Sequence, residues 1–198
     1  MGKEEGISIG DGVNASKPLR SHLRPDLGTY AYLSHLQEHR VRVGLGHDTH
    51  RLEVGRPLIL GGVLIDYPQG LIGHSDADVV LHAVADAMLG ASALGDIGEH
   101  YPDTDPEWRG LDSSRLLIEV VRKVAIAGWR PSNCDIVVHA QEPKLGPFKA
   151  GMRSNIARLL GVEIGSVNVK AKTGEHVGPI GRGEAISCEV IILLVSMT

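Results

Sequence analysis

The segment at 75–94 constrains the rest of the chain most. Val79, Leu81, Val84, Met88 and Leu89 recur at helical spacing and continue an apolar run to about Leu94. Ser75 stands at its start as an N-cap, and Asp78 three residues on gives a capping-box pattern. A helix this apolar has to be packed against something. Strands at 41–46 and 57–65 precede it, separated by a short turn-rich link. A loop dense in Asp, Pro and Gly spans 96–110. A second helix runs over 112–127 on Leu116, Leu117, Val120, Val121 and Val124.

A strand at 134–140 follows, then a helix opened by Pro147, carried by Phe148, Met152, Ile156, Leu159 and Leu160, and ended by Gly161. Strands at 167–173 and 185–195 complete the chain. The order β-β-α-α-β-α-β-β, with no internal repeat, predicts an α+β fold with helices packed on one face of a sheet.

Composition narrows the function classes. At 198 residues the chain has room for one domain of ordinary size, and its 42% hydrophobic content excludes a disordered chain. Aromatics are only 4%, so the core must be mostly aliphatic. A formal net charge of −4 gives no electrostatic reason to expect nucleic-acid or membrane-surface binding. Cys134 and Cys188 stand far apart without a C-x-x-C, which indicates neither a disulfide framework nor a cysteine zinc site.

No apolar run approaches the roughly 18 residues that span a bilayer, so the expectation is a cytoplasmic protein without a membrane partner. Residues 1–40 read as a mobile N-terminal extension, with neither a secretory apolar region nor the composition of a transit peptide. The compact domain is expected at 41–198.

Histidine is the unusual component: ten in all, seven of them after residue 40. In Asp48-Thr49-His50, an extended backbone points positions i and i+2 to one side, so a carboxylate and an imidazole converge. His82 lies one turn after Asp78 on the capped helix. That spacing would let Asp78 accept the spare ring proton of His82 and fix a ligating tautomer. Asp48, His50 and His82 thus make a two-His, one-carboxylate set with an open fourth position, the catalytic form of a zinc site. A D-x-H triplet alone fits a surface turn equally well.

His74 precedes a helix start, where backbone N–H groups favour an anion, although Asp76 and Asp78 oppose a free one. The acidic stretch from Asp96 through Asp103 and Asp105 suits a hydroxylated substrate or a cation, or simply a solvated turn. Lys144 is a candidate phosphate contact or an ordinary surface lysine. Glycines around Thr173, Glu175 and Arg182 permit close ligand approach, with Arg182 able to bind phosphate bidentately; hairpin punctuation is the alternative.

Seven motifs occur in order: G-H-D-T-H at 46–50, H-S-D-A-D-V-V-L-H-A at 74–83, A-L-G-D-I-G at 93–98, P-D-T-D at 102–105, A-Q-E-P-K at 140–144, N-V-K-A-K-T at 168–173 and G-R-G-E at 181–184. The chain from about 42 to 195 thereby resembles the 2-C-methyl-D-erythritol 2,4-cyclodiphosphate synthases of the non-mevalonate isoprenoid pathway. The resemblance implies a mixed sheet, and a homotrimer with sheets around the three-fold axis and active sites between subunits. It also implies a small-molecule nucleotide-diphosphate substrate, phosphorus–oxygen lyase chemistry, and release of CMP by intramolecular phosphoryl transfer.

By the same resemblance, Asp48, His50 and His82 hold zinc and through it the substrate, and Glu175 helps hold magnesium or manganese on the diphosphate. His74 and Thr173 match the pair that stabilises the transition state. Ser75 lies beside a substrate phosphate, and Asp96, Ile97 and Gly98 match the methylerythritol-binding segment. Ala140, Pro143 and Lys144 belong to the cytidine and phosphate loop. Asp103, Asp105, Lys172 and Arg182 complete the substrate-binding set. Lys172 and Gly174 stand where the family often has threonines, and Pro179 where a phenylalanine is frequent near the trimer axis. The extension at 1–40 has no counterpart in the family pattern.

Overall fold

The computed structural model describes residues 40–102 and 110–198. Residues 1–39 of the expected 1–40 extension, and Asp103 and Asp105, lie outside the described residues. The first strand, β1 (Val41–Val54), is much longer than its apolar stretch suggests. It pairs antiparallel with the last strand, β7 (Ala185–Ser196), from Val41 opposite Val195 to Arg51 opposite Ala185. Asp48 and His50 are therefore strand residues rather than part of a following turn.

The stretch at 57–65 forms two strands instead of one. β2 (Leu58–Leu60) and β3 (Val63–Ile65) make a hairpin. Gly61 and Gly62, at φ 58° and 73°, supply the two left-handed positions of a tight two-residue turn. β4 (Gln69–Leu71), unforeseen from the sequence, pairs with the end of β1.

Three long helices follow their apolar stripes: α1 (Val79–Ser92), α3 (Ser113–Ile126) and α4 (Lys149–Leu160). A short α2 (Ile97–His100) interrupts what reads as loop, with Asp96 as its N-cap. β5 (Trp129–His139) begins five residues before the expected strand. Its register shifts between Pro131 and Asn133, and its pairing with β6 (Val167–Lys172) starts only at Cys134. Pro131 thus occupies a stretch where a missing N–H breaks no bond to β6. One turn of helix, α5 (Gly178–Gly181), precedes β7.

The main sheet has the order β4-β1-β7-β5-β6, antiparallel except for the parallel β5–β6 pair, so the mixed sheet is confirmed. α1 packs across β1 and β7, α3 lies against α1, and α4 against β6. The core between the layers is aliphatic, as 4% aromatics requires. The other face of the sheet is apolar too. Leu45 pairs with Ile191 across β1 and β7, and their exposures are 68% and 52%; Val43 beside them is 64% exposed. Among the described residues, no helix is long and apolar enough to cross a membrane.

Candidate active site

Two close approaches place α1 on β1. Gly44 and Gly46 face the helix, and their missing side chains let its backbone sit directly on the strand. The next residues on that face are Asp48 and His50, so His82 on α1 descends onto them. His50 Nε2 lies 2.9 Å from Asp48 Oδ2, and His82 Nδ1 lies 3.1 Å from the same oxygen. The two ring nitrogens are 3.2 Å apart. Three ligand-type atoms from three half-buried residues thus converge, the one such group found among the described residues.

Electrostatics fit that convergence. Burial acts to raise the Asp48 carboxyl, but hydrogen bonds from His50 and His82 overcome it and hold the group well below the usual carboxylate range. Burial likewise acts to lower His50, yet the Asp48 carboxylate and a bond to the Ile72 backbone leave it raised above 6.5. Asp48 thus stays ionised, and its carboxylate favours positive charge at His50, whether a proton or a metal ion that displaces it. Two imidazoles and one carboxylate suit zinc, with a fourth position open to substrate.

Asp78 does not serve His82 as the sequence suggests. It is the true N-cap of α1, its carboxylate accepting from Val80 N at 3.0 Å and Leu81 N at 3.1 Å. It also accepts from Gly61 N at 2.9 Å and Gly62 N at 2.6 Å, tying the β2–β3 hairpin to the helix. A capping side chain curls over its own helix's first amides and cannot also run down the flank to His82. Ser75 is correspondingly not the cap; its Oγ accepts from Ala77 N at 3.0 Å in a preceding turn. Two hydroxyls face the far nitrogen of His82: Ser113 Oγ lies 2.9 Å and Ser75 Oγ 3.1 Å from Nε2.

The triad opens on a cleft of about 560 Å³, also lined by His74, Ser75, Ile97, Gly98 and Tyr101. Asp96 stands at its edge as a cap, accepting from Glu99 N at 2.9 Å. The remaining expected residues gather elsewhere. Ala140 N donates to Lys172 O at 2.9 Å, joining the ends of β5 and β6. Thr173 Oγ1 donates to Glu175 Oε1 at 2.8 Å, and Lys144 Nζ donates to Gln141 O at 3.3 Å. Glu175 and His176 both take left-handed backbone, with φ 48° and 61°.

None of Ala140, Pro143, Lys144, Lys172, Thr173 or Glu175 lines the cleft. Arg182 pairs with Glu184 at 2.7 Å beside a separate depression that includes Pro179. Cys134 and Cys188 are buried, and burial pushes the Cys134 thiol up to about 12, so neither is an activated nucleophile.

Comparison with known proteins decides the family. The YgbB family model matches residues 41–195. The chain belongs to the YgbB family. A 2-C-methyl-D-erythritol 2,4-cyclodiphosphate synthase of Bordetella petrii is 58% identical over 153 residues, covering 77% of this chain and 94% of that protein. The enzyme of the same name from Desulforamulus reducens is 53% identical, covering 78% of this chain and 98% of that one. A solved 2C-methyl-D-erythritol-2,4-cyclodiphosphate synthase in a CDP-bound form matches at a TM-score of 0.72 and 39% identity, covering 77% of this chain and 99% of that chain. The YgbB match begins at the first residue of β1, leaving residues 1–40 outside it.

Proposed function

We propose that this YgbB protein converts 4-diphosphocytidyl-2-C-methyl-D-erythritol 2-phosphate to 2-C-methyl-D-erythritol 2,4-cyclodiphosphate and CMP, in cytoplasmic non-mevalonate isoprenoid precursor synthesis. The observation that carries this reading is the Asp48–His50–His82 convergence at a cleft large enough for part of a nucleotide-diphosphate, in a chain 58% identical to a synthase of that name. An oxygen of the 2-phosphate attacks the diphosphate phosphorus on the methylerythritol side. The bond from that phosphorus to the bridging oxygen breaks, and that oxygen leaves on CMP. No water enters the product, which makes the step a phosphorus–oxygen lyase reaction rather than a hydrolysis.

Such a transfer depends on in-line positioning and charge stabilisation rather than on a protein nucleophile. Zinc at Asp48, His50 and His82 would polarise the diphosphate, and magnesium or manganese near Glu175 would neutralise its phosphates. His74 and Ser75 reach the phosphates from the cleft wall. Ile97 and Gly98, with Asp96, meet the methylerythritol hydroxyls, and Asp103 and Asp105 belong to the substrate-binding set. Ala140, Pro143 and Lys144 hold cytidine and its phosphate, while Thr173 and Lys172 approach the reacting phosphates. Arg182 serves the anionic substrate least directly, being paired to Glu184.

Two features support a homotrimer with shared sites. Val43, Leu45 and Ile191 form an apolar sheet face with nothing over it among the described residues, and sheets packed around a three-fold axis would cover it. The Thr173–Glu175 pair and Lys144 do not line the triad's cleft. A neighbouring subunit would bring the two half-sites together. Incubation with the candidate substrate, zinc and magnesium, followed by mass analysis, tests the reading. Equal amounts of CMP and cyclic diphosphate are expected, abolished by a chelator and restored by metal; metal binding without CMP release overturns it.

A further inference from the structure

The helix-capping turn before α1 and the start of α3 meet behind His82. Ser113 is fully buried at the first position of α3. Its Oγ donates to Asp76 Oδ1 at 2.5 Å, and its backbone N–H donates to Asp76 Oδ2 at 3.2 Å. The same Oγ lies 2.9 Å from His82 Nε2. Ser75 Oγ is 3.1 Å from that nitrogen and already accepts from Ala77 N.

The donor inventory gives this chain of bonds a direction. An ionised carboxylate only accepts, and a serine hydroxyl has one proton to give. Asp76 takes the Ser113 proton, so Ser113 meets His82 with lone pairs alone. An Nε2–H on His82 therefore finds a ready acceptor in Ser113, while Ser75 Oγ, which keeps its own proton, is a second hydroxyl beside the same nitrogen. With the proton on Nε2, the Nδ1 lone pair faces Asp48 Oδ2 and His50 Nε2, and a metal ion taken up there would replace the Nδ1–H bond to Asp48 that the metal-free ring can make.

We propose that Asp76 and Ser113 are positioning residues for metal binding, holding His82 in the Nε2–H tautomer that presents Nδ1 to the metal. The relay rests on the reading of Asp48, His50 and His82 as a metal site but needs no particular reaction. It replaces Asp78, which the N-cap geometry removes from that role, and it reaches His82 from a residue 31 positions away. Hydrogen bonding to the far nitrogen of a ligating imidazole fixes both its tautomer and its ring orientation.

The test is zinc affinity of the full chain by competition with a chromophoric chelator, together with ¹⁵N-detected imidazole tautomers before zinc is added. Ser113→Ala is expected to weaken zinc binding by about 10- to 100-fold and to lower the Nε2–H share of His82. Ser113→Thr, which keeps the hydroxyl, is expected to restore both. Asp76→Asn keeps the size but gives Ser113 an amide donor, freeing the serine proton to point at Nε2. It is expected to shift His82 away from the Nε2–H form, and it serves as the probe if Ser113→Ala does not fold.

Unchanged zinc affinity and an unchanged tautomer in Ser113→Ala, or in Asp76→Asn where only that variant folds, overturn the relay. Zinc binding that follows these substitutions in a protein releasing no CMP upholds the relay while the proposed reaction fails. CMP release at parental zinc affinity in both variants does the reverse.

Discussion

A β-carbon on Gly46 would stand 2.0 Å from the carbonyl oxygen of Ala83, the residue next to His82. Two residues back on the same face of β1, a β-carbon on Gly44 would stand 1.9 Å from Ala87 O. These two glycines therefore set how far His82 sits from Asp48 and His50. The metal triad is a consequence of backbone contact between strand and helix, not only of its three ligands.

Gly46→Ala is expected to push α1 off β1, since a helix carbonyl cannot yield as a flexible side chain can. Overpacking of this kind costs about 1–3 kcal/mol, occasionally more. Chemical denaturation of the two proteins measures that cost, and zinc titration of the surviving folded variant should show weakened binding. A Gly46→Ala protein of parental stability and zinc affinity would show that the close approach is not needed.

The triad predicts opposite pH responses for metal binding and for metal-free stability. Metal requires His50 without its proton, and His50 is raised above 6.5 while Asp48 stays ionised far below the usual range. As pH falls below the raised value, zinc affinity should drop about tenfold per pH unit, one proton being displaced. Metal-free protein should behave the other way. The stabilisation from protonated His50 on Asp48 is fully present below about 6.5 and is lost as pH rises through the folded-state value. Zinc titrations from pH 8 to 5.5 and melts with chelator present check both signs.

Much of this site is legible because its signals are local. Asp48 and His50 share a face by strand alternation, and His82 falls on a helix whose apolar stripe is unmistakable. The sequence points to Ser75 as the N-cap where the structure has Asp78, because Ser75, Asp76 and Asp78 are all capping residue types. Gly61 N and Gly62 N, donated from a distant hairpin, join Asp78 to the helix end, and no local pattern carries that. Ser113 is invisible for the same reason: its own neighbourhood marks only a helix start beside Asp112. Pro131 hid the first half of β5, because its tolerance depends on where β6 begins to pair. The Gly61-Gly62 pair was the readable sign of a hairpin inside 57–65.

Sharing of the site between subunits predicts complementation. His82→Ala and Lys144→Ala proteins should each be nearly inactive, the first without zinc and the second with it. Co-refolding them should restore part of the activity, because some interfaces then pair an intact triad with an intact Lys144 loop. If all contacts lay within one subunit, every site in the mixture would keep one lesion. Mixed oligomers as inactive as both parents, with exchange confirmed by native mass, would contradict the interfacial arrangement.

The most direct measurement of the proposed chemistry is turnover in ¹⁸O-water with zinc and magnesium, followed by mass analysis of both products. Intramolecular attack by the 2-phosphate predicts CMP and a cyclic diphosphate, neither carrying ¹⁸O. A linear phosphate or CMP bearing one solvent oxygen would mean that the Asp48–His50–His82 site activates water, and would contradict cyclisation.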